Sequence, residues 1–486
     1  MYRRNITSLL ISLGLALLWL IAYQLWIKPL LPTTTQTAST SAPHSASLDQ
    51  PPDERRITPP VQRPQIDPDH SRAIEFVARP DSEEAALLET IRDDIERADL
   101  TAAEAKLNAL PARLSSGSDT KASVAILWNN LALQRERLEG TARCIAAFQK
   151  AASLDEHNPI IQMNLAHAYW AQRDRALDTT FLSKLVKLAP HDPFPHLALA
   201  DLMLEEDKLQ EAAVHLNHAS DRITNDSRLR SYLETVTAKV RRAHRAEDRM
   251  TARSSPHFMV KFDGAEDHGA WTSVLGILEE GYRDIGQRLG HFPSKPIVVV
   301  LHTAATFQGA TGSPAWADGL YDAILGRIHI PTQAATTDIQ RLTDVLRHEY
   351  VHALLHDRVG AGSGVIPTWL NEGLAMQLAG TQWPDLDQAM QGDIQIIPLQ
   401  YLEASWGRLP QQTAVLAYLE ANSAVHFLIE RWGMPGVDAL LAALKGREAL
   451  STALQGHLFL SYDQFHSQWL DTFHQPHHMS PAGPRS

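Results

Sequence analysis

Hydrophobic and polar positions divide the chain into successive stretches with different periods. Ile6 to Ile27 is a nearly unbroken run of Leu, Ile, Ala and Trp with no charged residue. That is about the length a helix needs to cross a hydrocarbon core. Residues 29–80 replace this run with Pro, Ser and Thr and hold ten of the chain's 28 prolines, the composition of an extended tether that buries no core. Residues 81–250 are rich in Ala, Leu, Glu and Arg and read as helix throughout. Their apolar positions recur at an offset of 34: Leu131-Ala132, Leu165-Ala166 and Leu199-Ala200, with Asn158-Pro159 and Asp192-Pro193 at the same spacing. After Ser255-Pro256 the period changes. His257 to Phe262 alternates as a strand, Pro296 to His302 reads as a buried strand, and Gly326 to Pro331 is a third bounded by Gly and Pro. A helix is predicted at about Trp271 to Leu289, and from Asp338 the chain turns helical again. Mixed strands followed by helices predict an α+β domain over residues 255–473, with a disordered tail at 474–486.

Composition narrows the picture. At 486 residues, 44% hydrophobic and 21% charged, the chain is long enough for two folded domains plus extensions. A net charge of -12 argues against nucleic acid as a partner, because nothing would neutralise phosphates in bulk. The single cysteine, Cys144, excludes an internal disulfide and a thiolate zinc cluster, and reads as a buried, inert thiol. Arg3 and Arg4 precede the apolar run, and only Lys28 follows it until Arg55. That asymmetry predicts a single-pass transmembrane anchor at residues 1–28 with a cytoplasmic N-terminus and an extracytoplasmic body, in a bacterium the periplasm. A cleaved signal peptide is the rival, but Lys28-Pro29-Leu30-Leu31-Pro32 offers no small-residue cleavage site. The 34-residue period of paired helices, with Trp128, Leu131, Ala132, Phe148 and Ala151 at matching positions, resembles a tetratricopeptide repeat. The resemblance implies an all-α module with a concave face suited to a protein partner. Arg135 stands where the repeat usually has an aromatic residue, and a generic helical bundle is the alternative.

The chemistry concentrates in His348-Glu349-Tyr350-Val351-His352, an HExxH pattern. Leu342, Val345, Leu346 and Ala353 give its segment a helical apolar face, and no proline interrupts it. Residues four apart on a helix lie one above the other, so His348 and His352 aim at one point. Glu349, beside the first histidine, can reach a water there without ligating. Catalytic zinc needs a third protein ligand and one open position. Gly360 to Gly364 stops the helix, and Pro367 starts another, Thr368-Trp369-Leu370-Asn371-Glu372-Gly373-Leu374-Ala375, that can return and aim Glu372 at both histidines. The ligand set His348, His352 and Glu372 is the two-histidine, one-glutamate zinc shell. His356 lies a further turn along, about 6 Å away, too far for the same ion.

These residues resemble the gluzincin peptidases, in particular the peptidase MA-like families with aminopeptidase-N-like catalytic domains, over about residues 256–473. The metzincin pattern fails, since Leu355 and Arg358 occupy its glycine and third-histidine positions. The resemblance implies a thermolysin-like catalytic domain, zinc as cofactor, Glu349 as general base and a peptide or protein substrate. It also implies a tyrosine on a later helix that stabilises the oxyanion. Tyr418, in Ala417-Tyr418-Leu419-Glu420-Ala421-Asn422, matches that position; His426, two turns on, is the alternative donor. The strand Gly326 to Pro331 resembles the edge strand along which such enzymes lay substrate. The glycine-rich acidic motif that holds a free amine in aminopeptidases is missing between Thr303 and Leu342, which favours an endopeptidase. Two rivals stay open: a non-catalytic scaffold acting through its repeats, and a zinc amidase acting on a cell-wall component.

Overall fold

The structure, a computed structural model, describes residues 73–474 apart from 77–82, 111–117, 173–175, 224–226, 264–268, 313–317, 332–337, 361–365, 381–395, 407–408 and 447. The expected anchor at 1–28, the tether up to residue 72 and the tail after His474 lie outside these residues. Among the described residues, no helix is long and apolar enough to cross a membrane.

Nine described helices precede the first strand: α1 (Glu83–Glu96), α2 (Leu100–Asn108), α3 (Ser118–Glu139), α4 (Thr141–Leu154), α5 (Pro159–Gln172), α6 (Thr179–Leu188), α7 (Phe194–Glu205), α8 (Leu209–Ser220) and α9 (Ser227–Glu247). Each of α3 to α8 packs on the helix that follows it. The 34-residue period has a packing reason. Ala132, Ala166 and Ala200 are all 0% exposed, so each marks a place where neighbouring helices close on a side chain no larger than a methyl. Arg135 does not break the packing, because Glu104 of α2 pairs with it at 2.9 Å. Cys144 is buried as expected, and burial pushes its thiol up to about 12. Packing also begins earlier than residue 81. Residues 73–76 lie against α3: Ile74 N–H donates to Asn130 Oδ1 (3.1 Å) and Asn130 Nδ2 donates to the Ile74 carbonyl (2.8 Å). Phe76 is buried in the helical core. The proline-rich composition around this short apolar segment hides it in the sequence.

The sheet has the order β1-β2-β3-β5-β4, from β1 (Thr251–Ser254), β2 (Phe258–Phe262), β3 (Ile297–His302), β4 (Leu320–Asp322) and β5 (Arg327–Pro331). β2, β3 and β5 run parallel, and β1 and β4 are antiparallel at the two edges. The parallel strands require crossovers. Helix α10 (Ala270–Leu289) lies between β2 and β3 in the chain, and α11 (Ala304–Thr311) follows β3. One face of the sheet, with Val260, Val299, Ile328 and Ile330, joins the main core beneath α10 and α12 (Ile339–Val359). The opposite face presents Lys261, His302, Arg327 and His329. The expected edge strand is corrected here. Residues 327–331 form an interior strand, and the edge is β4, whose three residues are too few to give a period-two signal.

After α12 come α13 (Thr368–Ala379), the long α14 (Gln411–Lys445), α15 (Leu450–Ala453) and α16 (Tyr462–His474). Helix α14 kinks at Gly433 (φ 65°), just before Pro435.

Candidate active site

Helix α12 is delimited as its sequence signals require. Asp338 caps its start, accepting from Gln340 N–H (3.0 Å) and Arg341 N–H (3.1 Å), and Gly360 ends it at φ 105°. Leu342, Leu346, Tyr350, Leu354 and Leu355 bury its inner face. His348 and His352 stay half-buried on the side toward α13, with their Nε2 atoms 3.1 Å apart.

Helix α13 is held over them at both ends. Trp369, fully buried, donates from Nε1 to Tyr462 Oη at 2.8 Å. The last carbonyls are satisfied by guanidinium groups: Arg288 donates to the carbonyls of Gln377 and Leu378, and Arg347 to that of Ala379 at 2.8 Å. In between, Gly373 meets α14 backbone to backbone. A Cβ there would stand 2.3 Å from the Ala421 carbonyl oxygen and 2.5 Å from Val425 Cγ2, so only glycine fits.

This packing sets Glu372 Oε2 at 3.3 Å from His348 Nε2 and 3.4 Å from His352 Nε2. Four-coordinate zinc with ligands at about 2.0–2.1 Å places its donors about 3.3 Å apart. The observed triangle of 3.1, 3.3 and 3.4 Å has the dimensions of one face of such a tetrahedron. Glu372 Oε2 is buried and makes no hydrogen bond of good geometry, which fits an oxygen directed at a cation. His352 Nδ1 lies 3.2 Å from Asn371 Oδ1, and donation across that contact leaves the Nε2 lone pair facing the cluster. Electrostatics point the same way. Burial opposes charge on His352, but the Glu372 carboxylate overrides it and raises the imidazole to about 9. Burial would raise Glu372, and the two imidazoles more than offset that and hold its carboxyl well below the usual range. The pocket favours a positive charge among these three side chains, and they form the one possible metal-binding cluster found among the described residues.

Glu349 is buried beside this triangle. Burial raises its carboxyl, against the pull of the two imidazoles. The edge strand orients it: Tyr321 N–H donates to Glu349 Oε2 at 2.7 Å. Gly319 permits the approach, since a Cβ there would lie 2.7 Å from Val345 Cγ1 and 3.0 Å from Glu349 Cγ. Tyr321 also places its hydroxyl 3.0 Å from His356 Nδ1, so His356 belongs to a strand-to-helix contact.

Tyr418 reaches the same site through the close α13–α14 contact. The charge of Glu372, then burial, then Glu349 raise its phenol far above the usual range, so it is neutral and able to donate. Its ring packs edge-on against Trp406 at 5.0 Å between centroids. His426 is not brought to the site. It is exposed on α14 and lies 3.6 Å from Glu430.

The sequence reading missed Tyr321, Gly319 and Asn371. Asn371 stood beside Glu372 in the motif, but its partner depends on how α13 crosses α12. Gly319 and Tyr321 carried no motif at all.

A family model described as the Peptidase MA superfamily matches residues 280–473, from α10 to α16. The match supports a peptidase-like hydrolase domain of a typically zinc-dependent kind. No curated protein matches the chain.

Proposed function

We propose that this chain is a zinc-dependent endopeptidase held at a membrane by its N-terminal segment, with a tetratricopeptide-like module before its catalytic domain. The observation that carries the reading is the donor triangle of His348, His352 and Glu372 with Glu349 beside it. These three side chains would hold the ion, and Glu349 would stay free of it. When bound, zinc supplies Lewis-acid polarisation of a carbonyl and acidifies water. Glu349 takes the proton of the attacking water and returns it to the leaving amine. The Tyr321 N–H fixes the orientation of that carboxylate, and Tyr418 donates to the oxygen that gains negative charge.

An extended peptide would lie along β4, an edge strand of the sheet, where backbone pairing binds with little demand on side chains. Endopeptidase action is supported by how the acidic residues at the two ends of the segment 318–322 are used. Asp318 pairs with Arg341 and Asp322 with Lys239, both at 2.6 Å, so neither is poised to hold a substrate amine. The membrane anchor and the extracytoplasmic location rest on the apolar run Ile6 to Ile27 and its flanking charges.

The test is Glu349→Gln in the purified chain. It should keep about one zinc per chain while peptide cleavage falls by a factor of about a hundred to ten thousand. Cleavage at the wild-type rate with zinc in place would refute the assignment. Protease added to spheroplasts should digest the body of the protein, and protection would refute the location.

A further inference from the structure

The β4–β5 hairpin has two sides with different partners. Toward the site, Tyr321 donates its N–H to Glu349 and meets His356 through its hydroxyl. Toward the helices, its neighbour Asp322 is 4% exposed and receives Lys239 Nζ from α9 at 2.6 Å. The other Asp322 oxygen closes the turn, accepting from Ile324 N–H (2.9 Å) and Leu325 N–H (3.1 Å). Leu325, at the tip, is buried in the core of the helical module, not in that of the catalytic domain. At the base of β5, Arg327 is 0% exposed and pairs with Glu247 of α9 (2.7 Å) and with Asp207 (3.2 Å). Lys261 of β2 completes this network with Glu247 (2.9 Å) and Asp207 (2.6 Å).

Alternation along the strand explains the division. Tyr321 pairs with Ile328 and shares its face toward α12, while Asp322 pairs with Arg327 and faces α9. A displacement of Asp322 is therefore a displacement of the adjacent Tyr321 amide. A buried carboxylate that loses the ammonium paired with it must protonate or move toward water. Lys239, Glu247, Asp207 and Lys261 all precede residue 280, outside the family match.

We propose that Lys239, acting through Asp322, is a positioning residue for the edge strand, so that the last helix of the helical module forms part of the catalytic apparatus. Its catalytic consequence rests on the hydrolase reading given above, but the structural clamp does not.

The experiment uses the full chain with zinc bound and the variants Lys239→Met, Lys239→Arg and Asp322→Asn. Hydrogen exchange is followed in peptides covering residues 318–331, with turnover of a quenched-fluorescence peptide mixture measured in parallel. Lys239→Met should speed exchange at residues 320–322 at least tenfold and leave α12, α13 and the zinc content as in wild type. Turnover should fall about tenfold in kcat with little change in KM, because the Tyr321 N–H acts on Glu349. Lys239→Arg should restore both readouts. Asp322→Asn retains the turn acceptor and should show a smaller effect of the same kind. Unchanged exchange at 320–322 in Lys239→Met overturns the clamp, as does loosening spread equally over α12 and α13. Faster exchange at 320–322 with kcat at the wild-type value overturns the positioning role. If wild type itself cleaves none of the peptides, the hydrolase reading fails, and exchange alone still decides the clamp.

Discussion

Gly373→Ala tests whether the contact between α13 and α14 sets the geometry of the three donors. The added Cβ would stand 2.3 Å from the Ala421 carbonyl oxygen. A carbon resting against a carbonyl oxygen sits at about 3.3 Å, so α13 must retreat by about 1 Å. The obstacle is backbone, and no rotamer change relieves it. Glu372, the next residue, moves with the helix, whereas metal–ligand distances tolerate only about 0.2 Å. Two contributions to stability oppose each other. Ala is about 1 kcal/mol better than Gly inside a helix, and overpacking of this severity costs about 3 kcal/mol. The metal-free fold should lose about 2 kcal/mol by urea denaturation, while zinc affinity, measured by competition with a chelator, falls at least tenfold. Ala375→Gly weakens the same helix by about 1 kcal/mol without displacing it, and should keep its zinc affinity. Wild-type zinc affinity in Gly373→Ala would refute the reasoning. It would mean that α13 is held over α12 by its ends, through Trp369, Arg288 and Arg347.

Asn371→Ala removes the side-chain partner of His352 Nδ1 and should weaken zinc binding about 10- to 100-fold in the same assay; unchanged affinity would show that other contacts orient this imidazole. His302 and His329 lie 2.8 Å apart; burial, then Arg327, pushes His302 down to about 4, and burial holds His329 well below the usual imidazole value. Imidazoles that protonate more readily in the unfolded chain make stability fall as pH drops from about 6.5 toward 4, by up to about 1.4 kcal/mol per unit for each group. The metal-free chain should follow that course in urea, His302→Gln should flatten it, and parallel losses in both would count against it. Glu420 accepts the Ile397 N–H at 2.9 Å with one oxygen, and burial pushes its carboxyl up to about 8. A raised carboxyl stabilises the fold below its unfolded value, and that contribution is lost as pH rises through about 8. Glu420→Gln should therefore gain on wild type between pH 5 and 9, and equal denaturation midpoints at pH 9 would dismiss the idea.

The parts of the site legible in the sequence are those whose geometry is local to one helix. His348 and His352 must share a face because they are four residues apart on a segment with a cap, an apolar stripe and a glycine stop. The 34-residue period announced paired helices for a similar reason, since small residues at a fixed offset mark repeated close approach. Glu372 was legible one step less directly, through a stop, a proline and a second helix of suitable length. The anchor at 1–28 remains an inference from composition and flanking charge.

Everything that depends on which element lies beside which was decided by tertiary structure. The order of strands in a sheet leaves no trace in a period, so the edge passed from residues 326–331 to the three-residue β4. Tyr321 became the partner of Glu349, and Gly319 and Gly373 became places where a single methyl would not fit. His426, the alternative donor to Tyr418 in sequence, lies exposed on α14 beside Glu430. Asp322 and Arg327 acquired partners only when Lys239 and Glu247 of α9 met the face of the sheet opposite the main core. Periodicity records which residues of one element share a side. It carries no information about what that side meets, because packing partners are chosen by the shape and charge of surfaces far apart in the chain.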